Sequence, residues 1–187
     1  MIKPRAEVIA NSNHQINNTV IYPAVGMLAM AIEAANQLAD PARTINGFKL
    51  TDAYFMVALT VPASAQGIET QLTLSPSPGT SDRNSSSWKF RLFSHDGAQW
   101  QEHCHGTINI DYARRLTDLE GREDLERLKY GQTAHEAIGR TAIYRKTKDE
   151  FYDSLFKSGY TFGPAFRAMD DLTFNDQLGR QATASIN

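Results

Sequence analysis

The chain has 187 residues, enough for one sizeable domain or for one and a half repeats of a small one. A hydrophobic content of 41% and a formal net charge of -2 describe an ordinary globular chain. The sequence also contains no basic patch to which a nucleic acid or a membrane surface could bind, so neither is expected as a partner. The single cysteine, Cys104, excludes an internal disulfide and favours a reducing, cytoplasmic setting, and the polar amino-terminal residues do not predict a signal peptide.

An unusually apolar helix is predicted after Pro23, and it should end at Asp40-Pro41. Its polar side chains share one narrow stripe, formed by Glu33, Asn36, Gln37 and Asp40. The segment is too short to cross a bilayer, so its apolar surface must be covered by protein. Many small residues allow close backbone approach, which is expected of a helix lying in the concave face of a curved sheet.

His14 precedes this helix by a short extended segment and is the main candidate for chemistry. An imidazole exchanges protons near neutral pH, and the free amides of a helix amino end, here near Tyr22 to Gly26, can hold a carbonyl oxygen that gains negative charge. His14 is therefore interpreted as a base that removes a proton α to a carbonyl. The alternative from residue type alone is a surface histidine in a polar loop.

Alternating apolar residues predict strands over residues 45–61, with a break near residues 51–53, and over residues 68–74, followed by a loop at 75–87. A hairpin then runs from Trp88 to Tyr112 around a three-residue turn, Asp96 to Ala98. This register sets Arg91 opposite His103 and Lys89 opposite His105.

The hairpin histidines, His95, His103 and His105, are predicted to face solvent rather than to bind a metal, because metal ligands usually lie beside carboxylates or thiolates and not beside basic residues. Cys104 falls on the apolar face, which favours a small buried side chain over a nucleophile.

Residues 113–146 are rich in charge and glycine and are interpreted as a surface linker with one short helix at most. Thr147 and Glu150 have the spacing of a capping box and predict the start of a helix that ends at Gly159. Its apolar face is formed by Phe151, Tyr152, Leu155 and Phe156. A constrained aromatic turn, GYTFGPAF, and strands at residues 172–174 and 181–186 should follow.

Three ordered motifs resemble the dehydratase domain of highly reducing fungal (iterative type I) polyketide synthases. The first is H-x-x-x-G-x-x-x-x-P followed by an M-A-I-E-A helix, matched by His14, Pro23 and the segment YPAVGMLAMAIEAA. The second is the strand EHCHGTI, which begins at Glu102. The third is G-Y-x-Y-G-P-x-F, matched by the segment GYTFGPAF, which begins at Gly159.

The resemblance implies an α+β double hotdog fold, in which each half is a long helix wrapped by an antiparallel sheet. The implied divisions are a first hotdog at residues 1–112 with the catalytic histidine, a linker at 113–146, and the start of a second hotdog at 147–187. The family removes water from a β-hydroxyacyl thioester to give a trans-α,β-enoyl thioester. The substrate is carried on the phosphopantetheine arm of an acyl carrier protein, so no bound cofactor or metal is expected, and neighbouring synthase domains and a second copy of the synthase are the implied partners.

Residue roles follow from the same resemblance. His14 would take the α-proton, the carbonyl of Pro23 would orient its ring, and amides near Val25 and Gly26 would polarise the thioester oxygen. The other residues implied to contact substrate are Tyr22, Tyr160, Phe162, Gly163 and Pro164. The alternatives are a product-template cyclase of the same fold, and a non-catalytic scaffold on which a carrier protein docks.

Three departures from the family pattern stand out. Asn18 and Ala24 replace glycines, and Phe162 replaces a tyrosine and so lacks its hydroxyl. The 187 residues also contain no H-P-x-x-L-D motif, from which the family takes its catalytic aspartate. The chain is therefore expected to be a fragment with little or no dehydratase activity on its own.

Overall fold

The computed structural model describes residues 14–62, 67–77, 85–113, 119–176 and 181–186. Within these ranges the chain forms two compact units, the first containing residues 20–113 and the second containing residues 14–19 and 119–186. The elements in chain order are β1 (His14–Ile16), β2 (Thr19–Val20), α1 (Ala24–Gln37), β3 (Ile45–Phe55), β4 (Glu69–Pro76), β5 (Ser85–His95), β6 (Trp100–Tyr112), α2 (Leu119–Thr141), β7 (Tyr144–Lys146), α3 (Lys148–Lys157), β8 (Tyr160–Phe162), the 3-10 turn (Pro164–Phe166), β9 (Met169–Asn175) and β10 (Gln181–Ile186).

The first unit is the apolar helix α1 packed on a four-stranded antiparallel sheet of order β3-β6-β5-β4. The helix begins after Pro23, whose φ of -60° and ψ of 139° are extended, and its buried residues Met27, Ala31 and Ala35 recur every four positions. This spacing places them along one face, and the two alanines allow close approach to the sheet. The predicted helix and its covering sheet are therefore confirmed.

The far end of α1 is fixed by the last strand of the same unit. The amide of Asp40 donates a hydrogen bond of 3.0 Å to the hydroxyl of Tyr112, and the guanidinium of Arg43 lies 3.8 Å from the centre of the Tyr112 ring. Tyr112 is 2% exposed, so the tyrosine joins the helix terminus to the core. The predicted stop at Asp40-Pro41 lies just beyond the observed last helical residue, Gln37.

The core between helix and sheet is formed mainly by alternate residues of β5 and β6. Its buried members from these strands are Phe90, Leu92, Cys104, Ile108, Ile110 and Tyr112. Cys104 is fully buried there, which confirms its predicted position on the apolar face. The predicted break in β3 is also present, because its pairing with β6 shifts between Thr51 and Tyr54, where Asp52 has a φ of 51°.

The predicted hairpin register is wrong. Arg91 pairs with His105 and Lys89 pairs with Thr107, because the turn is one residue longer than predicted and the ladder also shifts by one residue between Leu92 and Phe93. The turn contains residues 96–99 rather than three residues, since His95 pairs with Trp100. The Asp96 carboxylate accepts hydrogen bonds from the amides of residues 98 and 99, and these bonds stabilise the longer turn.

The register shift buries His103, which was predicted to face solvent. Its side chain is 4% exposed, with Nδ1 2.9 Å from the carbonyl oxygen of Val57 and Nε2 2.7 Å from the hydroxyl of Ser94. A carbonyl only accepts, so Nδ1 donates and Nε2 accepts the proton of the Ser94 hydroxyl. His103 is therefore a hydrogen-bonded core residue.

His105 lies on the outer face of the first unit, in a cluster with Glu102 and Arg91. The guanidinium of Arg91 donates two hydrogen bonds to the Glu102 carboxylate, and His105 Nδ1 lies 2.9 Å from the same carboxylate. The hydrogen bonds from Arg91, followed by those from His105, lower the pKa of Glu102 below its usual value. A depressed carboxyl pKa adds stability above the unfolded-state pKa, and this contribution is lost as the pH falls through the folded-state pKa.

The variant Arg91→Gln is expected to raise the pKa of Glu102, because its largest stabilising partner is removed. The side-chain carboxyl carbon of Glu102, followed by NMR through an acid titration, measures the change. Arg140→Gln is a matched control, since Arg140 pairs with Glu136 within helix α2 of the second unit. A Glu102 titration curve that is the same in both variants would contradict the assigned role of Arg91.

The second unit contains α2, α3 and two small sheets of order β2-β1-β8 and β10-β9-β7. The segment predicted to be a linker instead holds the 23-residue helix α2, which packs on β9 and β10. The capping box at α3 is confirmed: the amide of Glu150 donates to the Thr147 hydroxyl, and the Thr147 amide donates to the Glu150 carboxylate. Phe156 was predicted to be core but is 66% exposed, whereas Tyr152 is 9% exposed.

Candidate active site

His14 lies on β1, directly beside the third sequence motif. β1 pairs antiparallel with β8, so that His14 is opposite Phe162 and Ile16 is opposite Tyr160. The His14 ring has its centre 5.3 Å from that of Phe162 with an interplanar angle of 73°, and 5.9 Å from that of Phe166. Two motifs that are far apart in sequence are therefore adjacent in the second unit, and aromatic rings flank the imidazole.

The turn after β1 explains one departure from the family pattern. Asn17 and Asn18 have φ values of 48° and 62°, in the left-handed region that asparagine tolerates better than most residues other than glycine. Asn18 stands where the family motif has glycine, and asparagine can adopt the left-handed conformation observed here. The Asn17 amide donates a hydrogen bond of 2.8 Å to the carbonyl of Gly159, which fastens this turn beside the start of β8.

Gly159 is favoured at its position mainly by its backbone conformation, and its lack of a side chain leaves room for Asn17. Its φ of 87° is unfavourable for residues with a side chain, and a Cβ there would lie 2.3 Å from Oδ1 of Asn17. The sequence predicted this glycine as the end of α3, and the Ser158 and Gly159 amides do donate to the last carbonyls of that helix. The carbonyl of Gly159 also accepts the hydrogen bond from the Asn17 amide, in the turn that follows β1.

Phe166 reaches His14 from the 3-10 turn that follows β8. Gly163 is extended, Pro164 opens the turn, and the Phe166 amide donates to the Gly163 carbonyl at 2.9 Å. Gly163 and Pro164, both predicted to bind substrate, thus shape the backbone that presents Phe166. The motif includes Phe166, but sequence alone does not predict Phe166 as a site residue, because its contact with His14 depends on strand pairing that local sequence does not reveal.

The Phe162 ring occupies the place where the family has a tyrosine. It supplies an apolar flank to His14 and no hydroxyl, so a polar contact from this position is absent from the site. Tyr160, the other aromatic residue of β8, is 42% exposed. Of the four predicted substrate-binding residues in this motif, Phe162 is the one whose ring contacts His14.

A shallow cavity of about 510 Å³ adjoins the turn after β1. Its lining residues are Asn17, Asn18, Phe156, Lys157, Ser158, Gly159 and Thr161. His14 is not among them, and Lys157 is the only ionisable residue in the set. The candidate active site is therefore defined by the residues that contact His14 and not by this cavity.

The amino end of α1 belongs to the first unit and holds the other predicted site residues. The Pro23 carbonyl accepts hydrogen bonds from the amides of Gly26 at 2.9 Å and Met27 at 3.3 Å. The resemblance implies that the Pro23 carbonyl orients the histidine ring and that the Gly26 amide polarises the thioester oxygen. In this structure the Gly26 amide instead donates a hydrogen bond to the Pro23 carbonyl. Helix geometry leaves the Val25 amide without an intrahelical acceptor, so Val25 is the better placed of the two predicted donors.

Tyr22 packs over Gly26. A Cβ on Gly26 would lie 2.7 Å from the Tyr22 ring, which explains why the helix has glycine in its first turn. The Tyr22 amide donates to the Leu59 carbonyl at 2.8 Å, and partial burial raises the pKa of the Tyr22 hydroxyl. Tyr22 is thus a fixed, uncharged side chain beside the start of α1 at neutral pH.

Among the residues that the structure describes, no group of three or more His, Cys, Asp or Glu side chains is arranged to hold a metal ion. The helices in the described ranges likewise include none that is long and apolar enough to span a membrane.

A family model described as the polyketide synthase dehydratase domain matches residues 6–95, which include the histidine strand, α1 and the sheet up to the end of β5. This match includes the first of the three motifs and agrees with the helix-on-sheet architecture of the first unit. The chain belongs to the polyketide synthase dehydratase domain family.

Two similar curated proteins come from fungi. Highly reducing polyketide synthase 40 of Fusarium mangiferae is 38% identical over 168 residues, which cover 88% of this chain and 7% of that protein. Highly reducing polyketide synthase NEC1 of Pyricularia oryzae is 31% identical over 166 residues, covering 87% of this chain and 6% of that protein. The chain thus spans less than a tenth of the length of these relatives.

Solved structures show the fold. The dehydratase domain from the CurK module of curacin polyketide synthase matches with a TM-score of 0.61 at 22% identity, covering 87% of this chain and 49% of that one. A trans-AT polyketide synthase dehydratase domain from Brevibacillus brevis matches with a TM-score of 0.68 at 16% identity, covering 93% and 57% respectively. The predicted α+β hotdog fold is confirmed.

Proposed function

We propose that His14 is the general base of a dehydratase that removes water from a β-hydroxyacyl thioester. The observation that carries the proposal is the pairing of β1 with β8, which holds the histidine between Phe162 and Phe166 of a second dehydratase motif. The two rings restrict the orientation of the imidazole and shield its sides from water. A base whose orientation is already fixed loses little conformational entropy when the substrate binds.

The proposed reaction breaks the α C–H bond and the β C–O bond of the substrate. The proton passes to a ring nitrogen of His14, the electron pair of the C–H bond becomes the α,β double bond, and the β-hydroxyl leaves. The hydroxyl needs a proton from an acid to depart as water. The Val25 amide at the start of α1 is proposed to stabilise the negative charge that develops on the thioester oxygen.

The acid is proposed to come from outside these 187 residues. The family supplies it from an H-P-x-x-L-D motif, and the sequence contains no such motif. Asp170 and Asp171, on β9, are already engaged, since they form ion pairs with Lys148 and Arg145. The chain alone is therefore proposed to have little or no turnover, although it carries the base.

The substrate is proposed to be an acyl chain on the phosphopantetheine arm of an acyl carrier protein. This follows from the relatives, which are highly reducing polyketide synthases. Neighbouring synthase domains and a second synthase copy are the proposed further partners, and the cytoplasm is the proposed location. The family match favours dehydration over the aldol ring closure of a product-template cyclase.

The test compares the 187-residue chain with a longer polypeptide that contains it together with an H-P-x-x-L-D segment. Each is incubated with a β-hydroxybutyryl pantetheine thioester, and mass spectrometry follows the loss of one water. The longer polypeptide is expected to form the trans-enoyl product and the 187-residue chain is not. Turnover by the chain alone that is abolished in His14→Ala would refute the external acid. Absence of turnover by both polypeptides, with carrier-protein binding intact, would support a scaffold instead.

A further inference from the structure

The hydroxyl of Tyr152 connects α3 to the turn that presents Phe166. The Tyr152 hydroxyl donates a hydrogen bond of 3.2 Å to the carbonyl of Phe166 and accepts one of 3.2 Å from the amide of Met169. These two backbone groups bracket the link between the 3-10 turn and β9. One side-chain oxygen therefore uses both its donor and its acceptor capacity to hold this link against α3.

The Tyr152 ring also contacts the other neighbour of His14. Its centre lies 6.0 Å from that of Phe162 in an edge-on arrangement, and Phe162 in turn lies 5.3 Å from His14. Tyr152 thus contacts both residues that flank His14: its ring packs on Phe162, and its hydroxyl donates a hydrogen bond to the carbonyl of Phe166.

Tyr152 is itself well fixed. It is 9% exposed, and it lies on α3, whose start is closed by the Thr147 capping box. The guanidinium of Arg167 lies 4.8 Å from the centre of the Tyr152 ring and donates a hydrogen bond to Asp149, also on α3. A side chain that several contacts hold in one position can fix the positions of the groups that it hydrogen-bonds and packs against.

We propose that Tyr152 is a positioning residue for His14, holding Phe162 and Phe166 so that the imidazole keeps one orientation. The catalytic meaning of this role rests on the proposed function, whereas the structural role does not. Tyr152 itself makes no proposed contact with substrate. Without its hydroxyl, the Phe166 carbonyl and the Met169 amide lose their shared partner and the Phe166 ring is free to move.

The variant Tyr152→Phe removes only the hydroxyl and keeps the ring. In the 187-residue chain, the ring protons of His14 are expected to shift in the NMR spectrum, because the ring currents of Phe162 and Phe166 reach them at the distances described. Tyr130→Phe is the matched control, since it makes the same chemical change in the same unit on a side chain that is 78% exposed. A His14 shift in Tyr152→Phe no larger than in Tyr130→Phe, with both variants folded, overturns the proposal.

A second measurement covers the case in which Tyr152→Phe does not fold. In the unmodified chain, the Met169 amide is expected to exchange with deuterium at least about 10-fold more slowly than in an unstructured peptide, because it is hydrogen-bonded to Tyr152. Exchange at the unstructured rate would show that the hydroxyl does not hold this amide, and would overturn the proposal.

The activity of a longer polypeptide separates this inference from the proposed function. Tyr152→Phe is expected to lower kcat by about 10-fold and to leave KM nearly unchanged, since misplacement of a base affects the chemical step. If His14→Ala keeps full activity, the dehydratase proposal fails while the NMR result on Tyr152 stands. If His14→Ala is inactive and Tyr152→Phe changes neither kcat nor the His14 signals, only the positioning role fails.

Discussion

Replacement of His14 by alanine is expected to lower the dehydration rate of a longer polypeptide containing this chain by about 10²- to 10⁴-fold. The variant removes the group proposed to accept the α-proton, while β1 keeps the backbone hydrogen bonds of its pairing with β8. The β-hydroxybutyryl pantetheine thioester serves as substrate, and the trans-enoyl product is measured by mass spectrometry. Substrate binding is expected to change little, because the loss affects proton transfer.

His95→Ala is the matched control for this prediction. His95 is also a partly exposed histidine with an aromatic neighbour, Trp100, at 4.9 Å, but it lies at the hairpin turn between β5 and β6 and has no proposed role in the chemistry. Its replacement is expected to leave the rate within about twofold of the unmodified protein, consistent with the small effects of surface substitutions. A similar loss in both variants would point to general damage, and a fully active His14→Ala would remove His14 from the mechanism.

Replacement of Phe90 by alanine is expected to lower the free energy of unfolding by about 3–5 kcal/mol. Phe90 is 1% exposed and lies at the centre of β5, and its ring packs over Gly106, where a Cβ would lie only 2.9 Å from the ring. The alanine variant leaves a ring-sized cavity that the neighbouring backbone cannot easily fill. Because single domains are stable by only about 5–15 kcal/mol, the first unit is expected to become marginal.

Urea unfolding followed by far-ultraviolet circular dichroism measures this loss. Phe93→Ala is the matched control, since Phe93 lies on the same strand, is only partly buried, and lies 5.0 Å from the guanidinium of Arg91. It is expected to lose about 1 kcal/mol. Equal losses in the two variants would contradict the assignment of Phe90, and not Phe93, to the core face of β5.

The elements that sequence predicts well are those with strong local signals. The helix after Pro23 follows from its apolar periodicity, and α3 follows from the Thr147 and Glu150 capping box. Cys104 falls on the buried face because the alternation of β6 is regular from Cys104 to Tyr112. In each case, residues close in sequence determine the outcome.

The errors come from features that depend on tertiary structure. The shift between Leu92 and Phe93 moves His103 into the core, and neither its position nor its direction has a clear local signal. The sequence of α2 predicts a linker because charged residues dominate its composition. The helix is also stabilised by packing on β9 and β10, which composition alone does not reveal.

The candidate site was predicted in pieces. The residues alone suggest His14 as a base and a constrained aromatic turn near Gly159, and the resemblance assigns His14 the same role in a dehydratase. The pairing of β1 with β8, and the contact of Phe166 with the imidazole, depend on strands from opposite ends of the chain. Tyr152 was identified only as a core residue, since a hydroxyl shared between two backbone groups leaves no pattern in the sequence.

The pairing of His14 with Phe162 has a consequence for synthesis on the ribosome. Chains emerge from the amino end at about 5–20 residues per second, so α1 and its sheet are complete in sequence several seconds before β8 emerges. During that interval the histidine strand lacks its pairing with β8. His14 is therefore among the first residues made and among the last to contact Phe162 and Phe166. A ribosome-bound chain halted before residue 160 should contain a folded first unit and a histidine strand not yet paired with β8.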